Sequence, residues 1–284
     1  MNLENVKKIG VIGAGVMGTG VAQKFAEHGY QIILIDIALD VLEKAKLAIE
    51  RNIMIHNMMN KEKLDKNAIL EKIETSTSYE CLADVDIIIE NIPEIVEAKL
   101  EFYHQIDKIT KNECFYLVNT SCIPITKIAN VLKNPSQVIG VHFMNPVPLQ
   151  NFSEVIKTSY IEQEDLEFIS DFLKSVNINC TVINDGPGFV SNRLSHLFMN
   201  EAANLVMEGV ATPEQIDMIF TQGFHHEMGP LHTADLIGID TVVNSIDVLY
   251  DCYKDPKFEC SPYLRKMLEE GRLGRKTGNG FFKY

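Results

Sequence analysis

The chain has 284 residues, 46 % of them apolar and 23 % charged, a balance that fits a folded protein of about two domains and excludes a disordered or low-complexity chain. With 26 basic against 39 acidic residues and a net charge of −13, it lacks the basic surface that phosphate-rich partners require, so no nucleic acid is expected. Its apolar runs fall short of the roughly 18 residues of a membrane span, its first residues show no export signal, and its six cysteines form no C-x-x-C pair; the expectation is a cytoplasmic protein with reduced thiols and no membrane partner.

Taken in chain order, short β-branched runs at 8–12, 31–36, 86–90, 114–119 and 137–143 predict strands. Apolar residues at spacings of three and four predict helices between them, at 41–55 and 95–109. This alternation predicts an α/β fold with a mostly parallel sheet covered on both faces. Two further strands, 152–156 and 180–183, flank a helix at 164–175. The pattern changes at Asp185-Gly186-Pro187-Gly188. Beyond it the sequence reads as helices at 189–207, 213–221, 241–253 and 262–270, with Thr212-Pro213 and Ser261-Pro262 as start signals. The expected division is therefore 1–186 for the α/β domain and 187–284 for an all-helical domain. Apolar residues along these helices, among them Leu194, Leu197, Phe198, Leu205, Val206, Ile246 and Leu249, serve either a core of their own or a second subunit.

Gly13-Ala14-Gly15-Val16-Met17-Gly18 follows the first strand, opens a helix, and is followed by an acidic residue, Asp36, at the end of the second strand. That context makes it a dinucleotide fingerprint of the Rossmann type, and assigns 1–186 to NAD binding. Gly13 permits the tight turn, Gly15 admits a pyrophosphate to the helix N-terminus, and Gly18 lets the helix approach the sheet. The Asp36 carboxylate accepts from ribose hydroxyls and repels a 2′-phosphate. The next residues, Ile37-Ala38-Leu39-Asp40, supply no arginine, so NAD is expected rather than NADP.

Folding the strand that ends in His142-Phe143 back on the run Phe152-Ser153-Glu154 about residue 148 sets His142 opposite Glu154. A carboxylate there holds one ring nitrogen as N–H and leaves the other to act as a base. Four histidine-region residues, His225, His226, His232 and Asp235, have no established ligand spacing, and no metal is expected.

Together with Asn119-Thr120-Ser121, His142–Pro146, Pro187–Arg193, Met228–Leu231 and Gly274–Phe281, these motifs resemble the 3-hydroxyacyl-CoA dehydrogenase family, in particular its bacterial 3-hydroxybutyryl-CoA branch, in one order over nearly the whole chain. The resemblance implies an NAD-dependent dehydrogenase of an L-3-hydroxyacyl thioester, short in chain and carried on CoA, working as a homodimer. It implies that His142 is the base, that Glu154 orients it, and that Ser121 and Asn192 bind the substrate oxygens in a cleft between the domains. It further implies cofactor contacts at Glu94, Lys99, Asn145 and Lys276. The chain departs from the family pattern at Asn91 and Pro93, at Leu149–Ser153, at Glu227, and along 52–60, where lysines that hold CoA phosphates are usual. Two alternatives therefore stay open: a hydroxyacyl unit bound to an acyl carrier protein, and a free hydroxy or sugar acid.

Overall fold

The structure, a computed structural model, describes residues 3–284. It divides into two compact units, 1–185 and 186–284.

The first unit is built on eight strands: β1 (Lys8–Ile12), β2 (Gln31–Ile35), β3 (Ile73–Ser76), β4 (Ile87–Glu90), β5 (Phe115–Val118), β6 (Val138–Phe143), β7 (Phe152–Lys157) and β8 (Asn179–Asn184). They form one sheet in the order β3-β2-β1-β4-β5-β6-β7-β8. The pairs from β3 to β6 are parallel, β7 runs antiparallel to β6, and β8 lies parallel to β7. The central strands read as unbroken apolar runs because helices cover both faces: every residue of β4, β5 and β6 is buried. The helices of this unit are α1 (Val16–Glu27), α2 (Leu39–Met59), α3 (Lys66–Leu70), α4 (Val96–Ile106), α5 (Ile125–Ala129) and α6 (Gln163–Ser175). On α2, Leu42, Ala45, Ile49 and Ile53 are buried, one face at spacings of three and four.

The sequence reading misses β3, α3 and α5. Ile73-Glu74-Thr75-Ser76 buries one residue, and an edge strand of this kind carries almost no apolar signal. The two helices have five residues each, too short for a periodic pattern to register. Asp65 caps α3 by accepting from Asn67 N and Ala68 N, while Asp185 accepts from Ile125 N, Thr126 N and Thr126 Oγ1 at the start of α5.

The second unit consists of α7 (Ser191–Met207), α8 (Pro213–Met218), α9 (Pro230–Ile237), α10 (Ile239–Tyr253) and α11 (Pro262–Glu269). A capping box between Thr212 and Gln215 starts α8, as the Thr-Pro signal predicts. Beyond the sequence reading, α8 runs into a π-helical turn at Ile219–Gly223, and α9 forms after Gly229. The buried Asp217 carboxylate accepts from Leu231 N and His232 N, which caps α9. The C-terminal segment is tied down by Asp235, 1 % exposed, which accepts from Phe281 N, Phe282 N and the Tyr284 hydroxyl. A Cβ on Gly274 or Gly280 meets Asp235 atoms at 2.2 and 2.0 Å, so both glycines are required for this close approach.

At the amino ends of the central strands, Asp86 accepts from Lys7 N (2.7 Å), Lys8 N (2.9 Å) and Lys111 Nζ (2.5 Å). Burial works against its charge, but Lys111 and the two N–H groups outweigh it and hold the carboxyl below its ordinary value. A group whose pKa is depressed by folding adds stability above its unfolded value and loses it as pH falls through the folded one. Asp86→Asn is therefore expected to lower the unfolding free energy by about 2 kcal/mol at neutral pH, with the difference from the parent shrinking below about pH 4. Denaturant melts across pH check this; a difference that stays constant down to pH 3 contradicts it.

Candidate functional site

The carboxyl ends of the parallel strands are where an open α/β sheet receives its ligand, and the expected nucleotide residues gather there. Gly13 has φ +85° and backs onto the Asn91 carbonyl, where a Cβ sits 2.7 Å away. On Gly18 a Cβ overlaps the Gly13 carbonyl oxygen at 1.7 Å. The protein's own packing thus requires glycine at both positions. Gly15 differs, because a Cβ there meets nothing within 4 Å. Open space in front of this glycine, at the N-terminus of α1, leaves room for a pyrophosphate, and the residues present fit a dinucleotide.

Asp36 closes the loop from the other side. Its Oδ2 accepts from Ala14 N (2.8 Å) and its Oδ1 from Ala38 N (3.2 Å), which fixes the carboxylate at the mouth of a cavity of about 490 Å³ lined by Gly13, Asp36, Ile37 and Pro93. A second cavity, about 450 Å³, also adjoins the glycine loop. Gly15, Lys44, Arg51, Asn52, Asn145 and Pro148 line it. Asn145 is thereby placed beside the glycine loop.

Beneath this surface lies a polar network that sequence reasoning misses. Glu90 ends the all-isoleucine run of β4 and is fully buried. Lys99 of α4, also fully buried, donates to both Glu90 oxygens (2.6 and 2.8 Å) and to the carbonyls of Ile92 (3.3 Å) and Asn119 (3.4 Å). Tyr103 adds a hydroxyl to Glu90 Oε2 at 3.4 Å. Burial, with Glu90 adjoining, pushes the Tyr103 phenol well up, so it remains a donor. The Lys99 ammonium, expected from the resemblance to contact the cofactor, ties the loops after β4 and β5 to Glu90. Burying two charges is offset only when they are paired and further hydrogen-bonded, as they are. The available signal was a lone glutamate ending an apolar strand, with a lysine nine residues on.

Asn91, one of the departures noted above, joins the same layer. Asn119 Nδ2 donates to Asn91 Oδ1 at 2.7 Å, and Asn119 Oδ1 accepts from Phe143 N at 3.3 Å. The amide pair laces the ends of β4, β5 and β6 together. Glu94 acts on the next loop. Its Oε1 accepts from Thr120 Oγ1 (2.5 Å), Ser121 N (3.1 Å), Cys122 N (2.8 Å) and Ile123 N (3.2 Å). One carboxylate oxygen thus gathers the turn that carries Ser121.

His142 and Glu154 are opposite each other in the antiparallel register of β6 and β7. Side chains of such a pair lie on one face of the sheet within reach of each other. His142 Nδ1 and Glu154 Oε2 are 2.9 Å apart, with side chains 11 % and 6 % exposed. An ionised carboxylate only accepts, so Nδ1 carries the proton and Nε2 is the basic nitrogen of the neutral ring. What the pair can do is take up a proton at Nε2 while Glu154 stabilises the resulting cation.

The two remaining expected residues belong to the second unit. Asn192 lies in the first turn of α7, where its carbonyl accepts from His196 Nδ1 (2.8 Å). Lys276 spends its ammonium on Asp240. The histidines that suggest a metal are used otherwise: His232 Nδ1 pairs with Asp217 at 2.6 Å, and His226 packs among Phe198, Phe220 and Phe224. Among the described residues no three His, Cys, Asp or Glu side chains are grouped to hold a metal, and no helix is long and apolar enough to cross a membrane.

Residues 8–186 match the model of the 3-hydroxyacyl-CoA dehydrogenase NAD binding domain, and residues 188–284 that of the 3-hydroxyacyl-CoA dehydrogenase C-terminal domain. The chain is 41 % identical to a probable 3-hydroxybutyryl-CoA dehydrogenase of Deinococcus radiodurans, over 98 % of this chain and 100 % of that one. It is 36 % identical to a 3-hydroxybutyryl-CoA dehydrogenase of Clostridioides difficile, over 98 % and 99 %. The crystal structure of (S)-3-hydroxybutyryl-CoA dehydrogenase from Ralstonia eutropha superposes with a TM-score of 0.93 at 35 % identity, covering 99 % of both chains. With both domain models matched in order and full-length relatives sharing more than a third of its residues, the chain belongs to the 3-hydroxyacyl-CoA dehydrogenase family.

Proposed function

We propose that this protein is an NAD-dependent dehydrogenase that interconverts a short L-3-hydroxyacyl-CoA and its 3-oxoacyl form. The observation that carries the reading is the buried His142–Glu154 hydrogen bond at 2.9 Å, near the carboxyl end of β6, in the same sheet whose β1 leads into the dinucleotide loop. Bound NAD supplies the hydride acceptor. In the oxidising direction His142 Nε2 takes the proton of the 3-hydroxyl while the hydride leaves carbon 3, and the C–O bond becomes a carbonyl. In the reducing direction the same nitrogen returns the proton. Glu154 keeps the ring in the correct tautomer and stabilises it when charged.

Ser121 and Asn192 hydrogen-bond the substrate oxygens, and their contribution grows as charge develops there. The Glu94 contacts to the 120–123 turn support this role for Ser121, since a substrate donor must be held still to act. Gly13, Gly15, Gly18 and Asp36 hold the cofactor, with Asp36 selecting NAD over NADP, and Glu94 and Asn145 stand beside it. Lys276 is assigned to the cofactor on the resemblance alone.

His142→Gln is expected to lower kcat with acetoacetyl-CoA and NADH by at least ~100-fold, the scale of a lost general base, while NADH affinity stays within about twofold of the parent. Glu154→Gln is expected to lower kcat by a smaller factor, because the base survives without its orienting partner. Steady-state assays with an NADH titration check both; a His142→Gln enzyme of full activity overturns the assignment. A panel that includes acyl-carrier-protein thioesters and free hydroxy acids separates the two other carriers of the same chemistry.

The helical unit exposes Leu194, Val210, Met218, Ile219 and Phe224, each more than half exposed. Exposed apolar side chains in this number support assembly into a homodimer through that unit, in the cytoplasm. Sedimentation equilibrium is expected to give twice the chain mass; a monomer at micromolar concentration contradicts the assembly.

A further inference from the structure

The cavity beside Asp36 carries a second carboxylate that the reading above leaves unused. Its lining also includes Tyr79, Phe102 and, one residue before Phe102 on α4, Glu101. The Tyr79 and Phe102 rings meet edge to face at 5.4 Å. Gln105, which also lines the cavity, donates from Nε2 to Glu101 Oε1 at 3.5 Å. The Tyr79 phenol is pushed up by burial, and further by the carboxylates of Asp36 and Glu101, which line the same cavity. Among the described residues that line this space there are two carboxylates and no lysine or arginine.

We infer that Glu101 is a second specificity-determining residue for the cofactor, a carboxylate that works with Asp36 to exclude a 2′-phosphorylated adenosine. The two acids differ in how they act. Asp36 meets the ribose hydroxyls directly, so it both attracts the unphosphorylated sugar and repels the phosphate. Glu101 acts through space on a group carrying close to two negative charges and contributes little to the neutral ribose. Removing Asp36 alone leaves the cavity anionic, and NADP remains disfavoured. Glu101 is exposed, so solvent and salt screen its effect, and the discrimination it provides is largest at low ionic strength.

The inference rests on the placement of the adenosine ribose at Asp36, and the experiment separates the two. Dissociation constants of NADH and NADPH are measured by nucleotide fluorescence for the parent protein, Glu101→Gln, Asp36→Ser and the double variant, at low and at near-physiological ionic strength. Glu101→Gln is expected to tighten NADPH by about fivefold at low salt, the scale of one charge acting across a wet cavity, and to leave NADH within about twofold. The same gain is expected in the Asp36→Ser background, and it shrinks as salt rises. If Glu101→Gln leaves the NADPH to NADH ratio unchanged in both backgrounds, or weakens both cofactors alike, Glu101 has no such role. If Asp36→Ser leaves the ratio unchanged, the ribose does not lie at Asp36 and the premise itself is overturned.

Discussion

A single cross-strand pairing organises the chemistry of this protein. The sheet runs parallel from β3 to β6 and then reverses, so that β7 lies antiparallel to β6. Without that reversal, residues twelve apart in sequence do not face each other at the carboxyl edge. With it, His142 stands opposite Glu154, both are buried, and an imidazole gains a fixed tautomer and a counter-charge at the edge that also carries the dinucleotide loop. The rest of the first unit can be understood as what keeps that edge in place.

The means are mostly buried or half-buried carboxylates whose acceptors are filled by backbone and side-chain donors. Asp86 joins the amino ends of the central strands. Lys99 ties the loops after β4 and β5 to Glu90, and Glu94 gathers the turn bearing Ser121. The Asn91–Asn119 amide pair extends the ties to Phe143 N, one residue from His142. Each acid is individually costly to desolvate, and each is satisfied by several donors, which turns a cost into a geometric constraint. A site assembled from the ends of separate strands needs such cross-links, because the hydrogen bonds of the sheet itself stop where the strands do.

Much of this was legible in the sequence. The glycine fingerprint, Asp36 and the strand alternation give the nucleotide half, because a Rossmann unit writes its turns and its acid into short range. The His142–Glu154 pairing follows from counting about a reversal near residue 148. What stayed hidden depends on contacts between distant segments. Lys99 reads from sequence as a cofactor ligand or a solvated helix residue, and only the fold shows Glu90 beneath it. Glu94 likewise reads as a residue beside the cofactor, while its four donors come from 26 to 29 residues further along. β3 was missed because an edge strand with one buried residue has neither alternation nor an apolar run. The second unit was read as helices, but its Asp217 and Asp235 anchors were not, since a capping acid remote in sequence leaves no local signature.

The central claim is that Glu154 fixes His142 with its proton on Nδ1 and its basic nitrogen at Nε2. Nitrogen-15 NMR of the His142 imidazole in the protein with NADH bound tests this directly, because the two ring nitrogens have distinct shifts in each tautomer. At a pH where the ring is neutral the account requires a protonated Nδ1 and an unprotonated Nε2, with the pattern lost in Glu154→Gln. A neutral ring carrying its proton on Nε2, in the parent protein and with cofactor present, contradicts it.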